Sequence, residues 1–418
     1  MVAHLFSMDH LRIMLDISRF FAIGTLTTGL LTSAAAMANP EFQNCLNQLR
    51  PSVIAAKVSG QTFDQYTQNL EPDLSVLEKL NYQPEFQTPI WDYMSGLVDQ
   101  ERVELGQQML KQHAAVLRRI EAQYGVDASI VVGVWGVETN FGNITGKNDL
   151  VQSLATLSCF GRRQAFFRGE LNSALRILQG GHVDPTHFKG SWAGAFGQTQ
   201  FMPSTFERIA VDFTGDGKRD IVDSIPDALA STANYLKRSN WQTGQPWGFE
   251  VKIPNNFNAQ GESRRKKRAL SAWTQRGLTR VDGTPLVKGN LSSIAQAGLL
   301  SPAGVNGPTF LVFRNFDALY SYNAAESYAL AIAHLSDRMR GGKPFVTAWP
   351  TDDAGISRAQ RRELQQLLIR RGHDIGEADG MIGEKSRAAI RVEQARLGLK
   401  VDGRGGQKIL TSLQANQP

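Results

Sequence analysis

Apolar positions recur at three- to four-residue spacing through most of the first 240 residues, and most of the expected elements are helices. Leu105, Met109, Leu110, Val116, Leu117, Ile120 and Tyr124 predict one long amphipathic helix, ended by Gly125. The run Ile130-Val131-Val132-Gly133-Val134-Trp135-Gly136-Val137 follows, apolar on every face. It reads as a buried helix starting near Asp127 or Ser129, either of which suits a cap. Residues 39–87 form an N-terminal arm with a helix over 41–49, and further helices are expected over 168–178, 203–211 and 226–237.

The period changes at Trp247. Short strand-like pieces such as 249–253, separated by Gly, Asn and Pro turns, fill residues 247–307, and helical spacing returns over 324–339. The strand-rich part therefore reads as an insertion within one domain over 39–342. Residues 343–355 hold Gly, Pro and Thr without periodicity and predict a linker. A compact unit follows over 356–418, with helices over 359–371 and 385–397 and turns at Asp379-Gly380 and Asp402-Gly403.

Composition places the chain among ordinary globular proteins: 418 residues, 42% hydrophobic and 20% charged. A formal charge of +6 favours acidic partners, such as nucleic acid, anionic lipid or an anionic wall polymer, without choosing among them. Arg12 and Arg19 precede an apolar stretch over 20–31, and Ala34-Ala35-Ala36-Met37-Ala38 offers a small-x-small cleavage site. Residues 1–38 thus read as an export signal, with Met8 and Met14 as alternative starts. No cysteine at the junction points to a lipid anchor. Cys45 and Cys159 permit one disulfide between arm and body, the reading favoured here over two buried thiols. Arg264-Arg265-Lys266-Lys267-Arg268 reads first as a solvated face and second as a polyanion contact.

Glu138 ends the apolar run and precedes Thr139-Asn140-Phe141-Gly142. A carboxyl against Val134, Trp135 and Phe141 loses hydration, which disfavours its charged form and suits a general acid. The competing reading is a surface acid or the partner of an Arg.

Residues 212–223 form an oxygen-rich loop. Asp212, Thr214 and Asp216 hold its first, third and fifth positions, Gly217 the turn at the sixth, the Lys218 carbonyl the seventh and Asp223 the twelfth. This is the EF-hand spacing for calcium, although Asp in place of Glu at the last position and the uncharged Thr214 predict weak binding in a structural role. Residues 190–204 interleave small residues with aromatics. Ser191, Gln198 and Gln200 there suit sugar hydroxyl and acetamido groups, and a second polar-aromatic cluster runs from Tyr320 to Asn323 and then to Tyr328.

Taken in order, Gly136 to Gly142, the stretch over 153–157, Arg162-Arg163, the segment over 190–204, the Asp212 loop and Tyr322-Asn323 resemble the membrane-bound lytic murein transglycosylase B family (glycoside hydrolase family 103). The final unit resembles the peptidoglycan-binding domain, through residues 379–383, 386–390, Gln394 and Gly398-Leu399. The resemblance implies a mainly α protein: a lysozyme-like helical domain with a small strand-rich insertion, and a three-helix peptidoglycan-binding module at the C-terminus.

It also implies cleavage of the MurNAc–GlcNAc bond of peptidoglycan without water. Glu138 would act as acid and then base, leaving 1,6-anhydroMurNAc ends. Ordinary glycosidases need two carboxylates, and neither Asp149 nor Glu170 has a comparable apolar setting, which favours that route. By the same resemblance Ser191 supports the acid or the substrate. Gln200, Tyr235, Tyr322, Asn323 and Tyr328 line a saccharide groove, with Tyr93 a looser match in local spacing. Asp212, Thr214, Asp216, Lys218 and Asp223 bind Ca2+. The expected partner is the glycan strand of the wall, with no nucleic acid, no organic cofactor and a monomeric chain in the periplasm of a Gram-negative bacterium. The rivals are a hydrolytic muramidase and a non-catalytic wall- or calcium-binding scaffold.

Overall fold

The computed structural model describes residues 39–80 and 88–416. Residues 1–38, expected to be an export signal, lie outside the described residues. Helices dominate, as the periodicity predicts, and they pack around two apolar cores.

The first core surrounds the helix Ala128–Thr139, with the neighbouring helices Glu326–Met339, Gln100–Gln112, Ala114–Tyr124 and Ile225–Arg238. Ala128–Thr139 is rich in β-branched residues, which are mediocre helix formers, but it is buried on nearly all faces, so packing overrides propensity. Gly133 lets the Glu326–Met339 helix approach, since an added Cβ would stand 3.2 Å from the Ile332 carbonyl oxygen. The expected single helix over 105–124 is two helices, broken at His113. The break turns the imidazole onto the Trp135 ring, centroids 5.6 Å apart. The second core gathers Pro40–Ala55, Leu150–Phe160, Gln164–Gln179 and Pro203–Ile209. Cys45 and Cys159 meet there, with Cα atoms 5.9 Å apart.

The insertion is a five-stranded antiparallel sheet. Numbering the strands of the chain in order, β1 (Asn148–Asp149) and β2 (Lys189–Gly190) form a separate small ladder. The larger sheet contains β3 (Gly248–Lys252), β4 (Arg268–Ala269), β5 (Thr279–Arg280), β6 (Gln296–Leu300) and β7 (Thr309–Val312), in the order β4-β6-β7-β3-β5. Its central strand, β7, lies beyond the expected limit of residue 307, because Gly307 and Pro308 before it resemble the turns between earlier strands.

The basic run is not simply a solvated face. Arg264 is buried, pairs with Asp317 at 3.0 Å and Glu326 at 3.1 Å, and stacks on Tyr320; Lys267 joins Asp317 at 3.0 Å. Two of its five cations thus fasten the sheet to the helical body, while Arg265 and Lys266 stay exposed.

The stretch over 343–355 is irregular yet packed. Phe345 stacks on His334 at 3.7 Å, and the amides of Val346 and Thr347 donate to Glu250 at 2.8 Å each. The C-terminal module has three helices, Arg358–Arg370, Glu384–Arg396 and Gln407–Ala415, around its own core. Arg404 docks it by pairing with both Asp92 and Asp353, and Arg361 donates to the Asp92 carbonyl at 2.8 Å.

Candidate active site

Glu138 occupies the last turn of Ala128–Thr139, half-buried, where the chain leaves the helix through Asn140 and Phe141 at positive φ. Gly136 makes room for this reversal, since an added Cβ would stand 2.7 Å from the Phe141 ring. The acid opens into a cleft of about 1050 Å³, lined also by Tyr93, Val137, Asn323 and Tyr328. The opposite wall belongs to the C-terminal module and includes Arg361, Asp379, Arg387, Arg391, Asp402 and Arg404. Nothing in the local pattern around Glu138 points to that wall, because its residues lie more than 200 positions away.

Tyr328 is only 2% exposed and donates its hydroxyl to Glu138 Oε1. Burial, reinforced by the charge of Glu138, pushes this phenol well above its ordinary pKa, so it remains a donor throughout the physiological range. Behind it stands a tyrosine ladder: Tyr322 stacks on Tyr328 at 6.2 Å and lies 4.7 Å from Tyr235. The Tyr322 hydroxyl donates to the Thr199 carbonyl at 2.8 Å, and that of Tyr235 to the Ser321 carbonyl at 2.7 Å. Tyr235 and Tyr322 pack against both helical cores, so the ladder spans the seam on which Glu138 sits.

Of the expected groove residues, Tyr93, Asn323 and Tyr328 line the cleft, and Tyr235 and Tyr322 stand behind it. Ser191 and Gln200 serve the backbone: Ser191 Oγ accepts the Ala195 amide at 3.1 Å, and the Gln200 side chain donates to the carbonyls of Thr145 and Gly197. Gln198, which looked suited to sugars, turns inward and accepts the Trp135 indole N–H at 2.9 Å.

The carboxylates weighed as partners for Glu138 are occupied elsewhere. Asp149 caps a helix by accepting the Gln152 amide at 2.8 Å. Glu170 is buried and accepts both the amide and the hydroxyl of Ser204, at 2.9 and 2.7 Å. Within the cleft, Asp92 pairs with Arg404 and Glu384 with Arg391, while Asp379 and Asp402 accept hydrogen bonds inside the module.

The oxygen-rich loop folds around Asp212, whose carboxylate accepts the amides of Gly215, Asp216 and Gly217. Carboxylate oxygens of Asp212, Asp216 and Asp227 lie within 4.8 Å of one another, an all-oxygen set suited to a hard cation. The cluster takes in Asp227, which the expected set of Asp212, Thr214, Asp216, Lys218 and Asp223 does not include. Asp223 instead meets His187 Nδ1 at 2.9 Å, and Thr214 Oγ1 donates to Asp212. Asp227 falls outside the twelve-residue frame, and reads in sequence as an acid in the first turn of the helix that Ser224 caps.

The half-buried acid thus faces a cleft walled on one side by the mainly helical body and on the other by the small helical module. The chain belongs to the transglycosylase SLT domain family, whose profile matches residues 41–337, and residues 357–413 match the peptidoglycan binding domain. More particularly, it is 34% identical over 247 residues to the membrane-bound lytic murein transglycosylase B of Escherichia coli K12. The match covers 58% of this chain and 65% of that relative, just under two thirds of its length. Among solved structures it is similar to SltB3 from Pseudomonas aeruginosa in complex with NAG-anhNAM-pentapeptide, at 46% identity and a TM-score of 0.72, covering 89% of this chain and 99% of that one. The Escherichia coli lytic transglycosylase Slt35 in complex with calcium is 31% identical, with a TM-score of 0.60 over 72% of this chain and 93% of that one. The fold is thus the lysozyme-like helical fold of these neighbours.

Proposed function

We propose that this chain is a lytic transglycosylase that cleaves the β-1,4 bond between MurNAc and GlcNAc of peptidoglycan without water. The observation that carries the reading is Glu138: it faces the cleft with its carboxyl held by Tyr328, while the other carboxylates weighed for the site are engaged in caps, ion pairs or local hydrogen bonds. One group then has to serve both steps. Protonated Glu138 gives its proton to the glycosidic oxygen as the bond from that oxygen to the muramic C1 breaks. The carboxylate next takes the proton of the muramic C6 hydroxyl, whose oxygen closes onto C1 as a 1,6-anhydro ring. The acid returns protonated, and no second carboxylate or water is consumed.

Mass spectrometry of digested peptidoglycan tests this. Anhydro ends are expected, whereas reducing muramic ends would make the enzyme a hydrolytic muramidase. Glu138→Gln should abolish release with the fold intact; unchanged turnover would leave only a wall-binding scaffold.

The oxygen-rich loop, on the same reading, holds Ca2+ through Asp212, Asp216 and Asp227. The likeness to a neighbour solved with calcium supports this. Calcium there would tie the loop's backbone together and take no part in proton transfer. The export signal over 1–38 and the Cys45–Cys159 pair fit a monomeric periplasmic protein in which that pair is oxidised.

A further inference from the structure

Gln198 stands between the oxygen-rich loop and the helix of the acid, bonded to both. Its main-chain amide donates to the Ile221 carbonyl at 2.8 Å, and its side-chain Nε2 to the Val222 carbonyl at 2.9 Å. On the other side its Oε1 accepts the Trp135 indole N–H at 2.9 Å, and its carbonyl accepts the Thr139 hydroxyl at 2.7 Å. Trp135 and Thr139 are one helical turn apart and bracket Glu138. The Thr139 oxygen also accepts the Gly142 amide at 2.9 Å, fixing the reversal after the helix.

The adjacent residue serves the other support of the carboxyl. Thr199 accepts the Tyr322 hydroxyl, and Tyr322 stacks on Tyr328, which holds Glu138. Close approach is built in: Gly197 has φ +75°, and an added Cβ would stand 2.6 Å from the Ile221 carbonyl oxygen. The residue type is specific as well. Trp135 needs an acceptor and the Val222 carbonyl a donor, and an amide offers both on one carbon; Glu lacks the donor, and Met lacks the donor and offers only a weak thioether acceptor.

We propose that Gln198 is a positioning residue that transmits the order of the oxygen-rich loop, and so its occupancy by a hard divalent cation, to the carboxyl of Glu138. The kinetic consequence rests on the function proposed above; the structural coupling does not.

The test uses the full chain labelled with 15N at tryptophan, with the Trp135 indole resonance assigned by its loss in Trp135→Phe. Calcium chloride is expected to shift that resonance in the wild type. Gln198→Met should remove the shift. On soluble wall glycan chains the same variant should lose about tenfold or more in kcat, with KM within about threefold, as expected for a displaced acid above an intact binding surface. Should Gln198→Met fail to fold, Gln198→Glu keeps the acceptor for Trp135 and loses only the donor to Val222, and should still lose the calcium response. A shift that survives in the variants, an absent shift in the wild type, or an unchanged kcat in folded Gln198→Met overturns the proposal. A wild type that cleaves no glycan refutes the function reading instead, and the resonance arm then decides the coupling alone.

Discussion

Tyr328→Phe removes one oxygen from the site. Because Tyr328 is 2% exposed, the phenyl ring stays in place, and Glu138 Oε1 loses this one donor. A hydrogen bond of this kind contributes about 1 kcal/mol to a neutral acid and about 1.5–3 kcal/mol to a carboxylate. The charge on Glu138 appears only as its proton leaves, so the difference, about 0.5–2 kcal/mol, enters the barrier. The rate constant kcat should therefore fall about two- to thirtyfold, with KM little changed. The sign of the pH effect is also fixed. Removing the donor disfavours the charged form, so the acid keeps its proton to higher pH. The limb on which activity falls with rising pH should then move up. The assay is release of anhydromuropeptides from purified glycan chains, quantified by liquid chromatography and mass spectrometry across pH, with circular dichroism to verify folding. A folded variant with unchanged kcat and an unmoved limb would refute the claim that Tyr328 holds the reacting carboxyl.

Calcium at a hundredfold excess over its Kd should stabilise the wild type by about 2.7 kcal/mol. That gain should vanish in Asp212→Asn and Asp227→Asn but persist in Asp223→Asn, by thermal denaturation with and without chelator. His334 is 6% exposed, and burial depresses its pKa to about 3, so it folds neutral while the unfolded chain protonates near 6.5. Stability from this residue is complete above pH 6.5 and drains away as pH falls toward 3, at about 1.4 kcal/mol per unit. Urea titrations should show a shallower acid slope for His334→Phe, and an equal slope would contradict the assignment. Arg404→Ala leaves Asp92 and Asp353, with side chains 10% and 19% exposed, without their guanidinium. A loss of about 3 kcal/mol is expected, seen as earlier melting of the C-terminal module. A single unshifted transition would show that the module docks by other means.

Local pattern alone carried the helix of Glu138, the oxygen-rich loop and two of the module's three helices, because apolar period, Gly and Asp placement and turn residues act over a few positions; the third, Gln407–Ala415, was expected only from the family resemblance. The proposal of Glu138 as the acid also starts from sequence, since an ionisable group against a fully apolar run is unusual whatever the tertiary fold. Other features were decided by long-range packing. The helix break at His113 depends on Trp135, more than twenty residues away. The basic run became a fastening for the sheet only because Asp317 and Glu326 come to meet it. Gln198 turned from a sugar contact into an internal brace once the loop carbonyls and an indole N–H surrounded it. Asp227 joined the carboxylate cluster because its helix begins beside Asp212. Most decisively, half of the cleft wall comes from a module far along the chain, and hydrogen bonds and ion pairs formed at such separations leave no local trace in sequence.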